Sequence, residues 1–210
     1  MNADLIFYTN PMSRGRIVRW MLEETGATYD TEILDYATSM KAPAYLAINP
    51  MGKVPAIVHS GQVVTECAAI CAYLADVFPD AGLAPPVTAR AAYYRWLFFA
   101  AGPLEQAEIN RYLGVTPTEQ QARMAGYGRY ELVVDVLDQM LSANPYVSDS
   151  GFSAADVYVG AHVIWGLQFG SLPERDAFKL YAARLTEREA YQRATAKDEA
   201  LMPPPAPPIG

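Results

Sequence analysis

The chain has 210 residues, 51% hydrophobic and 19% charged, a composition that supports one large or two small globular domains with a sizeable core. Sixteen Lys and Arg against 23 Asp and Glu leave a net charge of −7, which removes any general electrostatic case for a nucleic-acid or anionic-membrane partner. No apolar run reaches the ~20 residues of a membrane span, and the N-terminus lacks a basic segment followed by an apolar one, so neither a span nor a secretory leader is expected.

The first 78 residues alternate strand and helix signals. "DLIFYT" (4–9) reads as a short apolar strand, and "RGRIVRWMLEETG" (14–26) as a helix with Ile17, Trp20, Met21 and Glu24 on one face and Gly26 at its end. Arg14, Arg16 and Arg19 fit equally a solvated helix face or an anion-binding patch. "TYDTEILD" (28–35) is a weaker second strand, and "APAYLAIN" (42–49) a short helix stopping before Pro50. "PAIVHSGQVVTE" (55–66) reads as a hairpin turning at Ser60-Gly61, followed by a helix over "ECAAICAYLADVF" (66–78). The order β-α-β-α-β-β-α defines an α/β domain over 1–78.

"PDAGLAPP" (79–86) is a Pro/Gly linker, and no convincing strand follows it. A long helical pattern over 87–114 is interrupted at Gly102-Pro103. The stretch 116–144 opens with Thr116 as the expected N-cap, Pro117 at the first helical position and Glu119 completing a capping box. "SAADVYVGAHVIWG" (153–166) is apolar all round and should be the buried helix of an all-helical domain over 87–202, with amphipathic stretches near 174–183 and 187–200. The Pro-rich segment 203–210 is expected to be an extended tail.

The only cysteines, Cys67 and Cys71, lie four apart in an apolar helical segment, which suggests reduced core residues in a cytoplasmic protein rather than a disulfide pair. No metal site is expected, and the isolated His59 and His162 read as structural.

Three segments carry chemistry. In "FYTNPMSRGR" (7–16) a strand–loop–helix opening holds Ser13 where a thiol–disulfide enzyme of this layout keeps a Cys-x-x-Cys. In "NPMGKVPAI" (49–57) Gly52 permits a tight turn, and Pro55 opens a strand as either a cis or an ordinary trans proline. The cis form would turn the Val54 backbone outward, towards an extended peptide, with Lys53 beside it for a carboxylate. In "TECAAI" (65–70) Glu66 stands at a helix start, where it serves the helix dipole or accepts an ammonium group. Together these are the needs of one small peptide with a thiol, a carboxylate and an amino-acid end.

The same segments resemble the cytosolic glutathione transferase family, in particular its bacterial beta- and theta-like members. "NPMGKVPAI" is similar to the family's N-P-x-G-[KQ]-V-P-x-[LI], "TECAAICAYLAD" to its T-E-S-x-A-I-x-x-Y-L-x-[DE], and "GFSAADVYVG" to its helix-capping signature in the second domain, where Ser153 and Asp156 should form a capping box. The resemblance implies a thioredoxin-like N-terminal domain, a helical C-terminal bundle and a homodimer. It implies that Val54 bonds the cysteinyl part of glutathione through its backbone, that Pro55 is cis, that Lys53 meets the glycyl carboxylate, and that Glu66 with Cys67 holds the γ-glutamyl end. Cys67 departs from the family's usual Ser.

By that resemblance glutathione is the co-substrate and brings the thiol. With no partnered base in its loop, Ser13 is poorly placed to act as a nucleophile and is favoured as the donor to the glutathione sulfur, with Tyr8 and Asn10 as alternatives. A small hydrophobic electrophile is expected between the domains, with Met12, Phe98, Phe99 and Trp165 as wall candidates. The implied activity is glutathione transfer, with some peroxidase activity. A glutathione-dependent disulfide reductase and a non-catalytic glutathione-binding module are the alternatives.

Overall fold

The computed structural model describes residues 4–202; the expected Pro-rich tail at 203–210 lies outside them. The element order is β1 (Leu5–Thr9), α1 (Gly15–Thr25), β2 (Asp30–Ile33), α2 (Pro43–Leu46), β3 (Ala56–His59), β4 (Gln62–Thr65) and α3 (Cys67–Val77). It continues with α4 (Ala91–Phe99), a π-helical segment (Ala100–Leu104), α5 (Glu105–Tyr112), α6 (Glu119–Met124), α7 (Tyr130–Ala143), α8 (Ala154–Phe169), α9 (Asp176–Thr186) and α10 (Glu189–Glu199). The chain divides into two compact units, one holding the residues up to Ile70 and those from Glu189 onward, the other Cys71–Arg188.

In the first unit a four-stranded mixed sheet has the order β2-β1-β3-β4, with β1 parallel to β2 and antiparallel to β3, a thioredoxin-like arrangement. Strand alternation buries Leu5, Phe7 and Thr9 on one face of β1. The hairpin turns where expected: Ser60 and Gly61 both take left-handed φ (50° and 76°), as a two-residue type I′ turn requires. Helix α1 ends at Gly26 in the left-handed region. It is buried on more than the expected face, because α10 packs along it. Arg19 is therefore neither a solvated side chain nor an anion site. It is 3% exposed, and its Nε donates to Asp198 Oδ1 of α10 at 2.7 Å.

In the second unit the long helical pattern is interrupted at Gly102-Pro103 as expected, by one π-helical turn that absorbs the missing Pro103 N–H. The helical stretch at 116–144 opens differently from expectation. The N-cap is Thr118, not Thr116, and the capping-box partner is Gln121, not Glu119: Gln121 N–H donates to Thr118 Oγ1 at 3.3 Å, and Thr118 N–H to Gln121 Oε1 at 2.8 Å. Pro117 then precedes the cap, and the helix breaks after Met124, where Gly128 adopts a φ of 68°.

The expected pair at α8 is present, with the Ser153 N–H and hydroxyl both donating to Asp156 Oδ2 (2.9 and 3.1 Å). Asp156 Oδ1 also takes the Val147 N–H and the Tyr181 hydroxyl. Burial pushes this carboxyl up to about 6, against the lowering effect of those bonds. Cys67 and Cys71 are buried and form no disulfide, and His162 is buried with Nδ1 2.9 Å from Glu108.

Candidate functional site

Sheet register brings the chemistry-bearing loops together. Tyr8 pairs with Ala56, and Ala56 with Thr65, while Thr9 pairs with Ile33. The loop after β1, the Val54–Pro55 segment before β3, the turn from β4 into α3 and the loop after β2 therefore leave the same end of the sheet. Neighbouring strands lie about 4.8 Å apart, so the first three fall within the reach of a tripeptide.

The loop after β1 is built around Asn10 and Ser13. Asn10 is 8% exposed; its Nδ2 donates to Leu34 O at 2.8 Å and its Oδ1 accepts the Met12 N–H at 2.9 Å. Both ends of this carboxamide are committed to holding the loop. Ser13 is half-buried at the start of α1. Its hydroxyl donates to Asn10 O (2.6 Å) and accepts the Gly15 N–H (2.9 Å). Only glycine fits at 15, since a Cβ there would lie 1.9 Å from Thr9 Oγ1. Tyr8 points to the other side of the strand, 5.6 Å from the Tyr45 ring, in a cluster with Leu34, Met40, Ala56 and Val54. Burial, reinforced by Glu32, pushes its phenol up, so it stays protonated through the neutral range.

The Val54–Pro55 peptide is cis. Asn49 braces the preceding turn: its Nδ2 and the Tyr45 hydroxyl both donate to Lys53 O, and its Oδ1 takes the Met51 N–H. Gly52 takes a φ of 56°, and its carbonyl accepts from Lys41 Nζ at 2.7 Å. Strand β3 begins only at Ala56, and among the described residues no backbone group bonds the Val54 N–H or C=O. Two peptide groups half open to solvent thus remain available for an added strand. The Lys53 side chain is exposed.

Glu66 is exposed and sits at a φ of 67°. That left-handed conformation costs a non-glycine residue roughly 1–2 kcal/mol and is held here at the mouth of α3. Cys67, the first residue of α3, is 7% exposed, and its Sγ lies 3.6 Å from Arg14 O, linking this turn to the Ser13 loop. Sequence reasoning missed Lys41, Asn49 and the backbone conformation of Glu66. Only Asn49 left a signal, as the first residue of the N-P-M-G-K-V-P run.

Met12 is 57% exposed in the first unit; Phe98, in the second, is 73% exposed. Phe99 is half-buried against Trp96 (ring centroids 5.0 Å apart), and Trp165 is half-buried on α8. A separate cleft of about 350 Å³ in the first unit is lined by Arg19, Thr31, Ile33, Lys197, Ala200 and Leu201, none of them among the residues expected to hold glutathione or the electrophile. Among the described residues no group of three or more His, Cys, Asp or Glu is placed to hold a metal, and no helix is long and apolar enough to cross a membrane.

Residues 12–77 match the family model described as glutathione S-transferase, N-terminal domain. Glutathione S-transferase GST-4.5 of Xanthomonas campestris is 28% identical over 81% of this chain and 89% of its own length. A beta-class glutathione S-transferase of Sphingomonas chungbukensis superposes with a TM-score of 0.75 at 27% identity, covering 94% of this chain and all of its own. A sphingomonad glutathione S-transferase solved with glutathione also gives 0.75, at 26% identity, over 92% of this chain and 98% of that one.

Proposed function

We propose, on the likeness of this chain to glutathione S-transferases, that it binds glutathione at the β1–α1, β3 and α3 end of the sheet, stabilises the thiolate through Ser13 and adds it to a small hydrophobic electrophile. The observation that carries this reading is the register that puts Ser13, the unpaired Val54 backbone and Glu66 on neighbouring strands' ends.

On this reading Val54 pairs with the cysteinyl residue as an added strand would. Lys53 stands for the glycyl carboxylate, with Lys41 as a second ammonium at the same turn. Glu66 and the Cys67 N–H at the α3 terminus hold the γ-glutamyl end, its ammonium on the acid and its carboxylate on the helix. Ser13 rotates its proton from Asn10 O to the incoming sulfur while its oxygen keeps the Gly15 N–H. Donation into that oxygen polarises the hydroxyl and strengthens it as a donor.

The thiol proton leaves to water, and the thiolate forms the S–C bond as the leaving group departs. A free thiol near pKa ~8.5 is about 3% ionised at pH 7; lowering it by roughly two units ionises about three-quarters, for about 2.7 kcal/mol. One charge-assisted hydrogen bond and a helix N-terminus supply that much. The same thiolate would reduce a hydroperoxide, with a second glutathione closing the disulfide. A homodimer is the assembly that goes with this reading.

The test is conjugation of glutathione to 1-chloro-2,4-dinitrobenzene across pH, releasing chloride. The expected profile rises with an apparent pKa about two units below that of the free thiol. Glutathione binding without turnover of any aryl halide would favour a binding module instead. Turnover confined to glutathione mixed disulfides would favour a reductase, a route that the absence of cysteine from residues 8–16 disfavours.

Glu66 provides a second check. Glu66→Gly relieves the left-handed backbone but removes the carboxylate. The melting temperature is expected to hold or rise, while KM for glutathione rises roughly tenfold, the loss of one charge-assisted hydrogen bond. Melting and steady-state kinetics on the same preparation read both.

A further inference from the structure

The loop after β2 reaches back over the Ser13 loop. Asp35 shapes it: its Oδ1 accepts the Ala37 N–H (2.9 Å), the Thr38 N–H (3.0 Å) and the Thr38 hydroxyl (2.9 Å), and its own N–H donates to Ser39 Oγ (2.7 Å). The Thr38 hydroxyl, then the Ala37 N–H, hold this exposed carboxyl below the usual range, so the turn is set throughout the neutral region. It presents Tyr36, 46% exposed, with its hydroxyl donating to Met12 O at 3.1 Å.

That carbonyl belongs to the peptide plane whose N–H is Ser13's, and the Ser13 N–H donates to Asn10 O at 3.0 Å. The Met12–Ser13 plane is therefore pinned at both ends, by Tyr36 on the oxygen and Asn10 on the nitrogen. One residue earlier, Met12 N–H is held by Asn10 Oδ1, and Asn10 is tied to Leu34 O in the same β2 loop. A hydrogen bond to sulfur weakens steeply with misalignment, so freeing one end of this plane would loosen the direction of the Ser13 hydroxyl.

From this geometry we propose that Tyr36 is a positioning residue for thiolate stabilisation: it acts through Ser13, from the loop after β2, without touching glutathione's sulfur itself. The inference rests on the Ser13 reading above. Tyr36 belongs to no motif that marks the family resemblance, and its role is set by one long-range hydrogen bond.

The experiment follows the ultraviolet absorbance of the bound glutathione thiolate against pH in the full chain, for wild type, Tyr36→Phe, Ser13→Ala and the double variant, with dinitrobenzene conjugation measured in parallel. Tyr36→Phe keeps the ring, and its half-exposed position leaves the fold intact, checked by an unchanged melting temperature. The apparent thiol pKa is expected to rise by roughly half a unit to one unit, which lowers turnover near pH 6.5 about two- to fivefold. Turnover converges with wild type above the free-thiol pKa, and KM for glutathione stays nearly constant. A purely structural role would lower the rate at every pH.

The double variant should shift no further than Ser13→Ala alone, since residues that act as a unit are non-additive. If Tyr36→Phe superposes on wild type while Ser13→Ala shifts, the Tyr36 inference falls and the Ser13 reading stands. Additive shifts would mean that Tyr36 acts independently of Ser13, which also overturns it. If neither variant shifts, both readings fall together.

Discussion

Ser13→Ala is expected to raise the apparent pKa of bound glutathione by between one and two units and to cut kcat/KM at pH 6.5 roughly five- to fiftyfold. Among Tyr8, Asn10 and Ser13, the Ser13 hydroxyl is the donor that can turn to a ligand while the loop keeps its bracing bonds. Asn10 has both ends of its carboxamide in use, on Leu34 O and the Met12 N–H. Tyr8 is packed into the Tyr45 cluster on the other side of the strand. Losing one charge-assisted hydrogen bond removes about 1.5–3 kcal/mol from the thiolate, while the α1 terminus keeps its share. The deficit should therefore close as pH rises past the free-thiol value.

Ser13→Ala also leaves the Gly15 N–H without its acceptor, so a stability loss of about 1 kcal/mol should accompany the kinetic change. Tyr8→Phe, measured alongside, should leave the pH profile in place. A shifted profile for Tyr8→Phe with an unshifted one for Ser13→Ala would reassign the donor to the strand.

Asp198→Ala should be the most destabilising single change, costing about 3–5 kcal/mol, because it strands a buried guanidinium. Arg19 and Asp198 are 3% and 1% exposed and meet at 2.7 Å. Arg19 is further held by the Tyr29 and Thr31 oxygens and lies over the Phe7 ring. Burial pushes the Asp198 carboxyl up, and the Arg19 charge offsets this only in part. Arg19 Nη2 and Asp198 Oδ2 have no hydrogen-bond partner among the described residues. The pair is thus costly to break and incompletely compensated when intact.

Replacing both residues by apolar ones, Arg19→Met with Asp198→Leu, should accordingly cost much less than Asp198→Ala alone, and thermal unfolding of the three proteins decides it. Glu23, on the same α1–α10 contact, adds a pH signature. Burial pushes its carboxyl up, but hydrogen bonds from Lys197 and Tyr29 outweigh burial and hold it below the usual range. Its contribution is present above the unfolded carboxyl value and is lost as pH falls through the lower, folded one. Melting temperatures of wild type and Glu23→Gln should converge at the acid end.

The sequence by itself determined the features that depend on contiguous residues. Alternation in "DLIFYT", the Ser60-Gly61 turn, the Ser153–Asp156 pair and the break at Gly102-Pro103 are all set within a few positions, and each appears in the structure where local chemistry puts it. Where two local solutions lie two residues apart, as with Thr116 and Thr118, spacing does not choose between them. Gln121 can reach back to the Thr118 N–H from the third helical position, and that decides the cap.

Only tertiary structure decided what Arg19, Tyr36 and Asn10 do. Arg19 reads as one of three clustered cations until Asp198, 179 positions away, arrives on α10 and makes it an internal ion pair. The amphipathic stretch 187–200 reads as part of the helical half, yet its apolar face packs on α1, because periodicity specifies that a face is buried and not against what. Tyr36 and Asn10 act through carbonyls brought near by the pairing of β1 with β2, and the left-handed Glu66 is imposed by the junction of β4 with α3. Propensity and spacing are properties of neighbours along the chain. Hydrogen-bond direction, charge burial and backbone strain belong to neighbours in space, which the register of the sheet and the docking of α10 select.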